Sequence, residues 1–241
     1  MPAVFVHGVP DTPALWQPLI AKLKRRDVVT LALPGFGNKR PPGFTATKES
    51  YANWIIAELE KIKEPIDLVG HDWGALLVTR VVSLRPDLVR SWNAGAAPLH
   101  PDYVWHDTAK IWQTPEKGEE FMKLFGGEPV VAALAAQGQG ETLARETASH
   151  IDEEMKACIL TLYRSAVTAG AEWYPDLKRA PRTGLILWGE NDPFADRKFG
   201  EWLARDTGGK FELMKVCGHW YPAQDPEAMA QALERHWVSA R

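Results

Sequence analysis

The stretch that most constrains this chain is Val69-Gly70-His71-Asp72-Trp73-Gly74-Ala75, which closes the apolar run Ile66-Asp67-Leu68 and opens the apolar segment that reaches Ser83. A strand that passes into a helix within a few residues must turn sharply, and a glycine on either side of a polar residue permits the turn. The geometry is that of a nucleophile elbow, which lifts one side chain above the carboxyl edge of a sheet at the N-terminus of the next helix. A plainer role competes with it, because Asp is a favoured N-cap and Asp72 could serve only the helix amides.

The same alternation of short apolar run and helix recurs on both sides. Ala3–Val6, Val28–Leu33, Ile66–Gly70 and Val89–Gly95 read as strands, and Gly184–Trp188 and Lys210–Lys215 resume the series. Helices are expected from Thr12 or Pro13, with Leu15, Leu19 and Leu23 on one face, and over Glu49–Ile62, Ala75–Ser83, Lys198–Ala204 and Pro226–Val238. This is the α/β pattern of a mostly parallel sheet buried on both faces. From Pro98 to Arg182 no strand-like run occurs. Helices are expected there at Glu119–Leu124, Pro129–Ala136 and about Asp152–Ala169, the last with Met155, Ile159, Leu162 and Ala166 on one stripe. The expected organisation is a core of residues 1–97 and 183–241 interrupted by a helical insertion, 98–182. Gln137-Gly138-Gln139-Gly140 reads as a loop within it and lacks the Lys of a phosphate-binding loop.

Composition narrows the function classes. Hydrophobic residues make up 45% and charged residues 24%, the mix of a globular protein rather than a disordered one. With 28 Lys+Arg against 31 Asp+Glu and no basic block, neither nucleic acid nor an anionic membrane has a surface to hold. Cys158 and Cys217 are the only cysteines, without metal-ligand spacing, so a disulfide scaffold and a zinc ribbon are excluded. The N-terminal segment lacks a basic n-region and no apolar run approaches the ~18 residues of a membrane span. A cytoplasmic protein is expected. Eleven tryptophans are many for this length; Trp16, Trp54 and Trp202 fall on helix faces and read as core, and Asp11 and Asp102 read as cap or turn residues.

Two late loops bear on Asp72. Gly189-Glu190-Asn191-Asp192-Pro193 puts a carboxylate just beyond one strand, and Val216-Cys217-Gly218-His219-Trp220 puts a histidine beyond the next. Loops at the carboxyl ends of parallel strands converge on one crevice, so Asp72, Asp192 and His219 are expected to meet, in the chain order nucleophile, acid, base. With His7-Gly8-Val9-Pro10 after the first strand and Pro34-Gly35-Phe36-Gly37 after the second, these motifs span nearly the whole chain. In that order the sequence resembles the α/β-hydrolase superfamily, and within it the Asp-nucleophile branch of epoxide hydrolases and haloalkane dehalogenases. The resemblance implies an α/β-hydrolase fold lacking the usual first two strands, with 98–182 as the helical cap domain.

A carboxylate that attacked a carbonyl would form an anhydride, so ester or amide hydrolysis is an unsuited task. Attack on a saturated carbon gives an alkyl ester, which His219, oriented by Asp192, would hydrolyse by activating water. The resemblance implies that the backbone N–H groups of Val9 and Trp73 form the oxyanion hole. It also assigns Tyr163, in Leu162-Tyr163-Arg164, to donate to an opening epoxide ring. Tyr103, Trp105 and Trp112 are the further candidates, with Trp73 and Tyr163, to line the substrate pocket. The leading expectation is opening of a small apolar epoxide to a vicinal diol. Haloalkane dehalogenation is the alternative by the same residues, with Trp73 and a cap indole, Trp105 or Trp112, as halide donors. A haloacetate dehalogenase ranks third, because Trp73 stands where a cation for the substrate carboxylate would help. A non-catalytic ligand-binding protein is the alternative of another class. Arg164 is open to pairing with a cap acid instead of touching substrate. No metal and no organic cofactor are expected; the partners are a small apolar substrate and water, and a homodimer is left open.

Overall fold

The computed structural model describes residues 1–240. Six parallel strands form one sheet in the order β2-β1-β3-β4-β5-β6: β1 (Ala3–Val6), β2 (Val28–Leu31), β3 (Ile66–Gly70), β4 (Val89–Gly95), β5 (Gly184–Gly189) and β6 (Lys210–Met214). Every residue of β1, β3 and β5 is buried, as a parallel strand covered on both faces requires. Successive side chains go to opposite faces, and each face has its own core. Val4, Val6, Leu68, Ile186 and Trp188 meet the helices Lys48–Glu60, Trp73–Leu84 and Lys198–Thr207. Ala3, Phe5, Val69, Leu185 and Leu187 meet Leu15, Trp16 and the closing helix Pro226–Ser239.

The expected first helix is a 3-10 turn, Pro13–Trp16, followed by a single α-turn, Gln17–Ile20. Its leucines point as expected: Leu15, Leu19 and Leu23 are all buried. Among residues 98–182 no strand occurs; the chain leaves at the carboxyl end of β4, makes helices and returns at Gly184. Three of those helices, Asp107–Gln113, Glu141–Ser149 and Ala169–Trp173, were not expected from periodicity. The expected long helix stops early: it spans Glu153–Ser165, starting where Asp152 caps Met155 N–H and ending where Ala166 leaves helical geometry. Met155, Ile159, Leu162 and Ala166 are fully buried. Gln137–Gly140 lies in and just after a π-helical turn, Ala135–Gln139, with Gly138 at φ 102°. Lys48 N–H donating to Ser165 Oγ and the Arg40–Glu154 ion pair tie this segment to the sheet-bearing part. Among the described residues no helix is long and apolar enough to cross a membrane.

The strand order fixes where a site can lie. The chain steps from β1 to β2 on one side and then to β3 on the other, so the loops after β1 and β3 diverge and open a crevice between them. His7–Asp11 and His71–Trp73 are those loops.

Candidate active site

The turn after β3 is as tight as its glycines suggest. A Cβ on Gly70 would collide with the carbonyl of Gly74, and one on Gly74 with the carbonyl of Val6. Between them Asp72 adopts φ 53° and ψ −127°, a costly backbone for a residue with a side chain. Two hydrogen bonds hold it there, from Asp72 N–H to Gly95 O at 3.1 Å and from His71 N–H to Val6 O at 3.3 Å. Asp72 stands at the N-cap position of Trp73–Leu84, yet its side chain makes no capping bond. Its Oδ1 accepts the N–H of Val9 at 2.7 Å instead, and its Oδ2 lies 3.6 Å from His219 Nε2. The loop after β1 closes so tightly on this carboxylate that Gly8 has no room for a Cβ. The Val9–Pro10 peptide bond in that loop is cis.

His219 continues the line. Its Nδ1–H donates to Asp192 Oδ2 at 3.0 Å, while Asp192 Oδ1 accepts from Phe194 N–H at 2.9 Å. The Asp192 side chain is only 1% exposed, against 16% for that of Asp72, so one carboxylate is sealed behind the imidazole and the other faces open space. Two further histidines hold this frame without carrying charge. His7 Nδ1–H donates to Gly8 O and its Nε2 accepts Leu33 N–H, joining the loops after β1 and β2. His71 Nε2–H donates to the backbone carbonyl of His219 at 2.8 Å, fixing the height of that loop. Burial pushes both down to about 4, so both are neutral.

Burial would also lower His219, but the Asp192 and Asp72 carboxylates outweigh it and raise the imidazole to about 10. Burial would raise Asp72; the hydrogen bond and charge of His219, with smaller help from His71 and Val9 N–H, bring it below the ordinary carboxylate range. At neutral pH the centre is therefore carboxylate, imidazolium, carboxylate.

A cavity of about 390 Å³ opens above Asp72 and His219. Val9 and Trp73 border it beside Asp72, and Tyr103, Trp105, Trp112 and Tyr163 border it from the helical segment. Among the described residues no Lys or Arg lines it. The rings of Trp73, Trp105 and Trp112 surround Tyr163 at 5.1, 5.6 and 4.8 Å between centroids, and Trp73 and Trp105 stack at 5.9 Å. Burial, and then the charge of Asp72, hold the Tyr163 phenol well above its ordinary value, so it keeps its proton, although a hydrogen bond from Trp73 opposes them. Tyr103 borders the cavity, but its hydroxyl donates to Phe194 O at 3.4 Å. The Trp112 indole N–H is buried without a hydrogen-bond partner. Arg164 does not reach the cavity; its guanidinium forks onto Glu119 at 2.7 and 2.8 Å and donates to Trp112 O.

Asp11 is not the turn residue expected. It is 1% exposed, and its carboxylate accepts from Gln139 Nε2 at 2.6 Å and from Trp220 Nε1 at 3.2 and 3.3 Å. Burial, reinforced by Asp72, raises it to about 7 against the opposing hydrogen bond of Trp220. Its position directly after His7-Gly8-Val9-Pro10, in a loop at the crevice, was the available signal. His106 was also passed over; it lines the same cavity.

A parallel sheet with an acid-bearing turn after β3, and a histidine and second acid from the last loops, defines an α/β-hydrolase fold. Residues 3–232 match the model of the alpha/beta hydrolase family, and the chain belongs to that family. Among curated proteins it is similar to epoxide hydrolase 2 of Caenorhabditis elegans, at 24% identity over 260 residues, covering 96% of this chain and 72% of that protein. Among solved structures it is similar to the haloalkane dehalogenase DbeA from Bradyrhizobium elkani USDA94, with TM-score 0.77 and 19% identity over 99% of this chain and 90% of that one. It is also similar to 2-hydroxy-6-oxo-6-phenylhexa-2,4-dienoate hydrolase from Rhodococcus sp. strain RHA1, with TM-score 0.81 and 18% identity over 98% and 90%. At these identities the structural likeness is one of fold.

Proposed function

We propose that this hydrolase opens a small, largely apolar epoxide to a vicinal diol through an ester on Asp72, with residues 98–182 as a cap over the site. The observation that carries the reading is the division of labour within one carboxylate: Oδ1 is held by Val9 N–H while Oδ2 faces His219 and the cavity. Oδ2 attacks a ring carbon, the carbon–oxygen bond breaks, and the ring oxygen takes the phenolic proton of Tyr163. The product is an alkyl ester and a tyrosinate.

Ester formation resets the electrostatics. Asp72 is now neutral, so His219 loses one of the two charges that keep it protonated, and its proton returns Tyr163 to the phenol. Neutral His219, held by Asp192, then takes a proton from water as the oxygen attacks Cγ of residue 72. The oxyanion forms on Oδ1, already 2.7 Å from Val9 N–H, with Trp73 N–H as the second donor. Collapse releases the diol and restores carboxylate and imidazolium.

Haloalkane dehalogenation by the same ester is the second reading. The unpartnered indole N–H of Trp112 favours it, because halide is stabilised by N–H donors rather than by an acid. A haloacid would meet no Lys or Arg in the cavity, which counts against that substrate. The test is a His219→Phe variant, which should form the ester but not hydrolyse it. Separate samples are incubated with an aryl epoxide, a bromoalkane and fluoroacetate, and intact and peptide masses are recorded. An adduct on the peptide bearing Asp72 with the epoxide supports the proposal, and one with the bromoalkane alone moves the reading to dehalogenation. A folded variant that stays unmodified by every reagent refutes both and favours a non-catalytic ligand-binding role.

A further inference from the structure

The cavity is apolar over most of its wall, but one neutral polar group is built into it by a helix start. His106 is the N-cap of Asp107–Gln113, and its Nδ1 accepts the N–H of Ala109 at 3.3 Å. That bond requires a lone pair on Nδ1, so the ring proton sits on Nε2. The ring is fixed from the side by Phe194, 5.1 Å away between centroids, and Phe194 in turn packs on His219 at 4.8 Å. His106 is therefore two ring contacts from the imidazole beside Asp72, on the same cavity wall. Among the described residues no acceptor takes its Nε2–H. Tyr103, a further donor on this segment, has its hydroxyl committed to Phe194 O. Burial keeps His106 neutral despite the nearby charge of Asp72.

We propose that His106 is a specificity-determining residue whose Nε2–H donates to a carbonyl or ether oxygen on the substrate, separate from the atom that leaves. The substrate is then an apolar body that carries a neutral hydrogen-bond acceptor beyond its reacting carbon. Three features point to a neutral acceptor rather than an anion: the donor is uncharged, no Lys or Arg among the described residues lines the cavity, and the Asp72 carboxylate would repel a second negative charge. Thr108 and Gln137, also on the cavity wall, add further neutral polar groups to the same lining.

The inference rests on the cavity being the substrate site, and its test needs no turnover. Acetophenone and ethylbenzene differ by a carbonyl in place of a methylene, and neither can alkylate Asp72. Binding of both is measured on wild type, His106→Phe and His106→Gln, with ¹⁵N-histidine NMR on the wild type. One net hydrogen bond corresponds to about a three- to tenfold preference. The expected result is that His106→Phe lowers the acetophenone-to-ethylbenzene preference by that factor and that His106→Gln, which can still donate, retains it. In the wild type the His106 signals should show a protonated Nε2 that shifts with acetophenone and not with ethylbenzene. An unchanged preference in His106→Phe, a protonated Nδ1, an Nε2 signal indifferent to acetophenone, or no binding of either compound overturns the proposal. If His106→Phe does not fold, the wild-type NMR result decides alone. A protein that shows the preference but forms no Asp72 ester with any epoxide or haloalkane refutes the hydrolytic reading and leaves this one standing.

Discussion

Replacing Asp11 by Asn should stabilise the protein at pH 8 and leave it nearly unchanged at pH 4. The carboxyl has an ordinary value of 3.8 and is raised to about 7 in the folded chain, by burial first and by Asp72 second. Between those values the folded chain binds more protons than the unfolded one, so stability from this group is lost as pH rises from about 4 to 7. A displacement of about 3 pH units corresponds to about 4 kcal/mol above that window. Asparagine removes the charge but keeps the contacts. Its Oδ1 can accept from Gln139 and Trp220 as the carboxylate does, and its amide N–H can donate to Gln139 Oε1, which is buried without a partner. Unfolding entropy of about 2.1 cal/mol/K per residue gives about 0.5 kcal/mol/K for a chain of this size, so the full effect would raise Tm by about 8 °C. Differential scanning calorimetry of both proteins at pH 4 and pH 8 is the assay. A gain of the same size at both pH values, or a loss at pH 8, would show that Asp11 is not a strained charge and refute the reasoning.

Four further outcomes follow from the site. His219 owes its elevation to about 10 to two carboxylates, so Asp72→Asn should lower its titration midpoint markedly in ¹⁵N-histidine NMR; an unmoved midpoint would mean that Asp72 does not hold its proton. Hydrolysis of a preformed ester in single-turnover experiments should accelerate as pH rises through the His219 midpoint of the ester state, because the base must be neutral. Gly8→Ala would set a methyl against both the Asp72 carboxylate and its Cβ, which no rotamer of Asp72 avoids, so ester formation should fall on the order of 100-fold in stopped-flow traces while the fold persists. Tyr163→Phe should slow attack on epoxides by about 10²–10⁴-fold and attack on bromoalkanes by less than about tenfold; equal losses would remove Tyr163 from the role of acid.

The parts of this architecture that could be read in advance are those whose cause is local. β1 begins and ends where its apolar run does, because a parallel strand buried on both faces leaves no polar alternation to blur its edges, and β3 and β4 match their expected bounds although Asp67, Arg90, Ser91 and Asn93 interrupt them. Asp72 and His219 stand beside glycines and follow directly on strand ends, so neighbouring residues announce them. The misses have distant causes. Asp107–Gln113 lacks a continuous apolar stripe and starts on a histidine cap, and Glu141–Ser149 is largely polar and buries only Ala144 and Thr147, so no stripe of large apolar residues marks either. Asp11 and Gln139 are 128 residues apart and meet only once the helical segment has folded over the crevice. His106 gives no sign in sequence that its Nδ1 is taken by Ala109 or that its ring borders a cavity.

The distribution of charge connects the two kinds of residue. Three carboxyl groups, Asp11, Asp72 and Asp192, converge on one imidazolium, and among the described residues no Lys or Arg lines the cavity to relieve them. Such a centre holds excess negative charge, so it repels anionic substrates and favours any step that turns a carboxylate into a neutral ester. In the proposed reaction alkylation of Asp72 is that step: it would lower the repulsion felt by Asp11 and release the proton of His219 together. Under that proposal the hydrolytic base is produced by the reaction that makes it necessary. Tyr163 and His106, which border the cavity, are neutral groups, and a cation there would quench the charge that drives the proposed first step. This predicts a direction for variation: introducing a cation such as Leu76→Arg, on a residue that borders the cavity, should weaken attack by Asp72 on neutral substrates while admitting carboxylates to bind. Competition by acetate or benzoate against the ester-forming reaction, absent in the wild type and present in that variant, is the measurement that would bear this out.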